Sequence, residues 1–150
     1  MGLKKILILG GSGFLGKNLN KVLDRNKYKI FNESRRTNCN ILVYEELLKK
    51  VKKIKPDVII NSAAHVGSIS YVTQFSADVC NDNTQMYLNI FKVINDVDRS
   101  IRIINPISNC SYPGVIDIQD EEMWWDGVIH SSVESLSLIH ISEPTRRYSI

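Results

Sequence analysis

The feature that most restricts the fold is an unbroken apolar run that leads directly into a group of glycines. Ile6 to Leu9 carry no polar side chain, and two lysines precede them. Such a run suits a strand that is buried on both faces of a parallel sheet. Gly10, Gly13 and Gly16 follow, and apolar residues then recur at helical spacing to about residue 25. The pattern predicts a strand, a tight glycine turn and a helix.

The alternation of strand and helix patterns continues along the chain. Further strands are predicted at residues 28–32, 58–60 and 101–104, and helices at 43–54 and about 77–97. This rhythm predicts βαβ units with right-handed crossovers, and hence an α/β fold with a Rossmann-like, doubly wound parallel sheet. The whole pattern needs more chain than 150 residues, so we expect the sheet to be incomplete at the C-terminus. The last of these helices is expected to bury one face in the core, formed by Val79, Met86, Ile90, Val93 and Ile94.

Composition excludes several other classes of protein. A net charge of +3 is too small to indicate a nucleic-acid-binding surface, and the lysines from Lys49 to Lys55 fit a solvated helix face. The three widely spaced cysteines match neither a disulfide framework nor a Cys-x-x-Cys metal site, which favours a cytoplasmic location. No run of 18 apolar residues occurs, so no membrane span is expected.

The glycine turn has a chemical interpretation. Glycines allow the backbone to approach a pyrophosphate, whose charge is stabilised at the N-terminal end of a helix. The motif Gly-x-x-Gly-x-x-Gly here joins a predicted strand to a predicted helix, which is the context that a dinucleotide site requires. A purely structural turn is the alternative.

The choice of dinucleotide depends on the end of the second strand. Glu33, Arg35 and Arg36 lie there, roughly 20 residues beyond the glycines. An acidic side chain would bind the ribose 2′-hydroxyl and favour NAD, whereas an arginine would pair with a 2′-phosphate and favour NADP. The two arginines favour NADP, and NAD is the alternative.

Further motifs give the chain a family resemblance. Asn61-Ser-Ala-Ala-His-Val-Gly67 follows the third strand, Asn83 and Asn89 lie on the next helix, and Ser108-Asn-Cys-Ser-Tyr-Pro-Gly114 follows the fourth strand. With the glycine motif, these segments resemble the extended short-chain dehydrogenases/reductases, the NAD-dependent epimerase/dehydratases that act on nucleotide sugars. The Ala-Ala-x-Val-Gly form and the segment after Ser108 are most similar to the GDP-L-fucose synthase branch. The resemblance covers residues 3 to about 135.

The resemblance implies a cofactor site along these motifs. The pyrophosphate would lie on the glycine turn, the adenine beside the loop after the second strand, and the rest of the cofactor beside the Ala-Ala-His segment. The implied cofactor-binding residues are Gly10, Gly13, Phe14, Leu15, Gly16, Arg36, Asn40, Ile41, Ala63, Ala64 and His65.

Two catalytic residues are implied as well. Ser108 takes the place of a Ser or Thr that hydrogen-bonds the reacting sugar oxygen. Cys110 corresponds to a cysteine that acts in proton exchange beside a keto carbon, although a thiol needs nearby positive charge for such a role, and an inert thiol is the alternative. A nucleotide-sugar substrate and a homodimeric parent protein are also implied.

The pattern breaks where the family carries its Tyr-x-x-x-Lys pair. The tyrosine is due at position 136 and the lysine at position 140, where this chain has Leu136 and His140. Residues 136–150 resemble instead the translation of an adapter used in DNA library preparation. Pro144 would also interrupt the helix that should begin near Ser132.

We therefore expect residues 1–135 to form part of an NAD(P)-binding Rossmann domain and residues 136–150 to be a non-native tail. The parent would transfer hydride at a hexose keto carbon, and this chain would be inactive without the tyrosine and lysine. A nucleotide-sugar 4-epimerase or 4,6-dehydratase is an alternative, and so is a non-catalytic protein that binds or senses dinucleotides.

Overall fold

The computed structural model describes most of the first 108 residues and short segments after them: residues 2–108, 112–113, 120–125 and 127. The chain divides into two compact units. The first comprises residues 1–64 and 85–106, and the second comprises residues 65–84 and the chain from residue 107 onward.

The first unit is built on a four-stranded sheet in which all the strand pairings are parallel. Its strands, in the spatial order β2-β1-β3-β4, are β2 Tyr28–Glu33, β1 Lys4–Leu9, β3 Val58–Asn61 and β4 Arg102–Ile104. The helices in chain order are α1 Phe14–Val22, α2 Tyr44–Ile54, α3 Ile69–Gln74 and α4 Ser76–Val97. A parallel sheet with helices between its strands is the Rossmann-like α/β fold that the sequence predicts.

The side chains of β1 alternate between two apolar layers. Leu7 and Leu9 pack with residues of α2 and α4 on one face, and Ile6 and Ile8 pack near Leu19 of α1 on the other. None of these four strand residues is more than 5% exposed. A strand covered on both faces explains the unbroken apolar run in the sequence.

The order of the strands creates a crevice beside β1. The chain leaves β1 for β2 at one side and then crosses back to β3 at the other side. In open α/β sheets, ligands bind outside the carboxyl ends of the strands at such a switch point. The glycine turn follows β1 directly, so it lies at this position.

Helix α3 was not predicted, because residues 65–76 lack a long apolar period. The helix has six residues, and the Ser68 side chain accepts a hydrogen bond from the Tyr71 N–H at its start.

The apolar residues of α1 recur at helical spacing, but not all of them are buried. Phe14 is 87% exposed and Val22 is 76% exposed. None of the described helices is long and apolar enough to cross a membrane.

Candidate functional site

The glycine turn after β1 is held against two neighbouring strands. The N–H groups of Gly10 and Gly11 donate to the carbonyl oxygen of Glu33 at 2.9 and 3.1 Å. Gly10 has φ +77°, and a Cβ there would lie 2.7 Å from the Ala63 nitrogen. A Cβ on Gly16 would lie 2.5 Å from the Gly10 oxygen. The packing of the chain itself therefore requires glycine at positions 10 and 16.

Gly13 differs from these two glycines. It is the N-cap residue of α1, with φ −77° and ψ 177°, a conformation that any residue adopts. A Cβ on Gly13 would approach only the Gly10 oxygen, at 3.2 Å. The helix has no side-chain cap, so the N–H groups of its first turn remain available as donors to an anion. This cradle fits the pyrophosphate of a dinucleotide.

The end of β2 carries the residues that bear on the choice of dinucleotide. The Glu33 carboxylate lies 2.7 Å from the Lys50 amine on α2 and 2.6 Å from the Thr37 hydroxyl. Arg35 and Arg36 lie in a short 3-10 helix immediately after β2, and both are exposed. The expectation of a wholly solvated lysine row is thus wrong for Lys50, whose side chain is 23% exposed because it pairs with Glu33.

The loop that follows is fixed by hydrogen bonds from two helices. The Asn40 N–H donates to the Glu46 carboxylate at 2.7 Å, and the Ile41 carbonyl accepts from the Asn89 side-chain amide at 2.7 Å. The Ile41 side chain is 5% exposed and belongs to the core. An adenine at this loop would therefore meet Asn40 rather than Ile41.

The end of β3 lies against the glycine turn and the end of β4. The Ser62 hydroxyl donates to the Leu9 carbonyl at 2.7 Å, and the Ala63 backbone lies against Gly10 in space. Asn61 donates to the Asn105 side-chain oxygen at 2.9 Å. The Asn105 amide in turn donates to the Tyr87 hydroxyl at 2.6 Å. No sequence pattern indicates this last contact, whose partners are 18 positions apart. The predicted site residue Ala64 follows and is exposed.

In the second unit, His65 is held through both its backbone and its ring. The Asn83 side chain accepts from the His65 N–H at 2.7 Å and donates to its carbonyl at 2.9 Å. The ring nitrogens lie 2.8 Å from the Asp82 carboxylate and 2.9 Å from the Tyr71 hydroxyl. The sequence points to Asn83 and His65 but not to Tyr71, because α3 is not predicted from it, and not to Asp82, although the helix that carries Asp82 is predicted.

The structure describes only one of the two predicted catalytic residues. Ser108 is partly exposed and lies four residues beyond the end of β4. Cys110 lies outside the described residues, as do Leu136 and His140. Within the described part of the chain, no group of three or more His, Cys, Asp and Glu side chains is placed so that it could hold a metal ion.

Comparison with known proteins settles the family. The profile of the NAD dependent epimerase/dehydratase family matches residues 6–132. The chain belongs to this family. The resemblance drawn from the glycine motif and the Ala-Ala-x-Val-Gly segment is thereby confirmed.

Curated proteins show similarity along most of the chain. A GDP-L-fucose synthase of Azorhizobium caulinodans is 30% identical over 116 residues, which are 76% of this chain and 36% of that protein. A GDP-L-colitose synthase of Yersinia pseudotuberculosis is 27% identical over 139 residues, which are 92% of this chain and 44% of that protein. The chain spans less than half the length of these relatives.

Solved structures with low sequence identity to this chain confirm the fold. A GDP-L-fucose synthetase from Naegleria fowleri bound to NADP superposes with a TM-score of 0.74 at 23% identity, covering 97% of this chain and 44% of that one. A GDP-mannoheptose C4 reductase from Campylobacter jejuni with NADP bound gives 0.79 at 18% identity, covering 97% and 43%.

Proposed function

We propose that the chain is the NAD(P)-binding part of a nucleotide-sugar reductase or epimerase of the GDP-L-fucose synthase kind. The observation that carries the proposal is the glycine turn at the switch point, where Gly13 leaves the uncapped start of α1 open to an anion. The names of the curated relatives support a GDP-sugar as the substrate class.

In this proposal the first turn of α1 binds the pyrophosphate through the backbone N–H groups of Phe14, Leu15 and Gly16. The exposed Arg36 pairs with the 2′-phosphate of NADP. The cofactor, when bound, carries a hydride to or from a hexose keto carbon. Ser108 would donate a hydrogen bond to the sugar oxygen, and Cys110 would move a proton at the neighbouring carbon.

Dinucleotide binding is tested by a titration of NADPH into the chain and into two glycine variants. Gly13→Ala keeps an allowed backbone but places a methyl group at the proposed phosphate cradle, so we expect affinity to fall about tenfold. Gly2→Ala is the control, since a Cβ there would meet nothing within 4 Å. Failure of the unaltered chain to bind NADPH or NADH would overturn the proposal, and equal affinity of Gly13→Ala and Gly2→Ala would overturn the role of Gly13.

We also propose that residues 1–135 belong to the enzyme and residues 136–150 do not, so that the chain itself has no turnover. The basis is Leu136 and His140 at the positions of the family's tyrosine and lysine. Sequencing the locus from unfragmented DNA should give a tyrosine at position 136 and a lysine at position 140. A genuine Leu136 codon would favour instead a non-catalytic dinucleotide-binding protein.

A further inference from the structure

We propose that Lys50 determines dinucleotide specificity by occupying the Glu33 carboxylate, which leaves the arginines beyond β2 to select NADP. The inference rests on the proposed dinucleotide-binding function. Lys50 itself would touch neither dinucleotide, so its role is a positioning role that acts through Glu33.

Glu33 occupies the position from which an acidic residue reaches the adenosine ribose. It is the last residue of β2, and its carbonyl accepts hydrogen bonds from the N–H groups of Gly10 and Gly11. An acidic side chain at the end of this strand normally binds the ribose hydroxyls and favours NAD. The same negative charge would repel a 2′-phosphate, so a free Glu33 would oppose NADP.

The Glu33 side chain is already engaged within the protein. Its Oε2 atom lies 2.7 Å from the Lys50 amine and accepts from the Thr37 hydroxyl at 2.6 Å. Lys50 also donates to the Thr37 carbonyl at 2.8 Å, which fixes the amine in place. The Glu33 and Lys50 side chains are 13% and 23% exposed, so solvent screens this pair less than a surface pair. A 2′-phosphate would thus meet a neutral pair instead of a carboxylate.

Thr37 connects this pair to the arginines. Its hydroxyl accepts from the Ser34 N–H at 2.8 Å, and its own N–H donates to the Ser34 carbonyl at 2.9 Å, which closes the 3-10 turn that carries Arg35 and Arg36. Among the described residues, neither arginine forms an ion pair. Their guanidinium groups therefore remain available to a phosphate, which they bind in a bidentate manner.

The test measures the dissociation constants of NADP and NAD for matched variants of the full chain. Lys50→Met frees the Glu33 carboxylate, so the preference for NADP over NAD should fall about tenfold. Lys49→Met is the control, since it removes the same charge from the neighbouring, exposed position on α2. In a chain that already carries Glu33→Gln, the further change Lys50→Met should leave the preference within about twofold, because no carboxylate remains to be freed.

A second variant keeps the test decisive if Lys50→Met does not fold. Glu33→Gln removes the carboxylate charge but keeps a side-chain oxygen that can accept from the Lys50 amine, and the affinity for NAD should stay within about twofold of the unaltered chain because Glu33 does not bind the ribose. A tenfold fall in NAD affinity would show that Glu33 does bind it and would overturn the inference.

The remaining outcomes separate the two proposals. An unaltered chain that binds neither dinucleotide would refute the proposed function and this inference with it. An unaltered chain that binds them, together with a folded Lys50→Met variant of unchanged preference, would refute the role of Lys50 alone.

Discussion

The side-chain amide of Asn89 donates a hydrogen bond to the Ile41 carbonyl at 2.7 Å, and both residues are only 5% exposed. Asn89 lies on α4, and Ile41 lies in the loop that follows β2, 48 positions earlier in the chain. The bond therefore ties the loop expected at the adenine to a helix of the core. An asparagine serves here because its amide can satisfy a buried carbonyl without bringing a charge into the core.

Removal of this amide should be costly. We expect Asn89→Ala to lower the free energy of unfolding by about 1–3 kcal/mol, because it leaves the Ile41 carbonyl buried without its donor. Asn95→Ala on the exposed face of the same helix should change it by less than about 0.5 kcal/mol. Urea denaturation of the two variants measures the difference, and equal losses would contradict the structural role of Asn89.

The glycine turn should respond unequally to substitution. Gly10→Ala places a Cβ 2.7 Å from the Ala63 nitrogen at a φ of +77°, so it should destabilise the fold by at least about 2 kcal/mol. Gly13→Ala should cost less than about 1 kcal/mol, since its backbone already suits a side chain. Thermal unfolding monitored by circular dichroism compares the two variants. A larger loss for Gly13→Ala would be inconsistent with the geometry described for the turn.

Cys39 should make stability depend on alkaline pH. Burial raises the pKa of its thiol from 9.0 to about 11, and the negative charge of Glu33 adds to the effect. Because the folded-state pKa is raised, the contribution of Cys39 is fully present below pH 9.0 and is lost as the pH rises towards about 11.

We expect this loss to amount to about 2 kcal/mol over that interval. Urea denaturation across the interval should show a steeper decline for the unaltered chain than for Cys39→Ala, whose own lower stability is taken from neutral pH. The partly exposed Cys80 provides the control variant Cys80→Ala, which should keep the full decline. Identical slopes for Cys39→Ala and the unaltered chain would exclude a contribution from the buried thiol.

The hydrogen bonds between the Asn83 side chain and the His65 backbone should affect amide exchange. Asn83→Ala removes the acceptor of the His65 N–H, so that amide should exchange with solvent at least about tenfold faster. Asn81→Ala alters an exposed residue two positions earlier on the same helix and should leave the rate unchanged. Hydrogen exchange followed by NMR reads this amide directly. A His65 amide that stays protected in Asn83→Ala would mean that Asn83 does not hold the loop.

The sheet and the long helix could be predicted from the sequence because their burial follows a period. β1 is a continuous apolar run covered on both faces, and Ile90 and Val93 of α4 are fully buried, as the helical spacing indicated. α3 could not be predicted in the same way, because six residues span less than two turns and bury only Val72.

The polar contacts of the candidate site were beyond prediction for a different reason. Glu33 and Lys50 are 17 positions apart, and they meet because α2 packs against the face of the sheet to which β2 contributes Phe31. In the sequence, Glu33 and the arginines are competing determinants of dinucleotide choice, and nothing indicates a partner for the Glu33 carboxylate. The structure pairs that carboxylate with Lys50, whose neighbouring lysines are exposed to solvent.

The contrast between Gly13 and the glycines on either side of it bears on how such motifs should be interpreted in distant relatives. A descendant that lost its cofactor would still need glycine at positions 10 and 16, because their neighbours are backbone atoms of the protein itself. Position 13 would be released from selection and could accept larger residues. Under the proposed role of Gly13, the outer pair of glycines marks inheritance of the architecture, and the middle one records whether a nucleotide is still being bound.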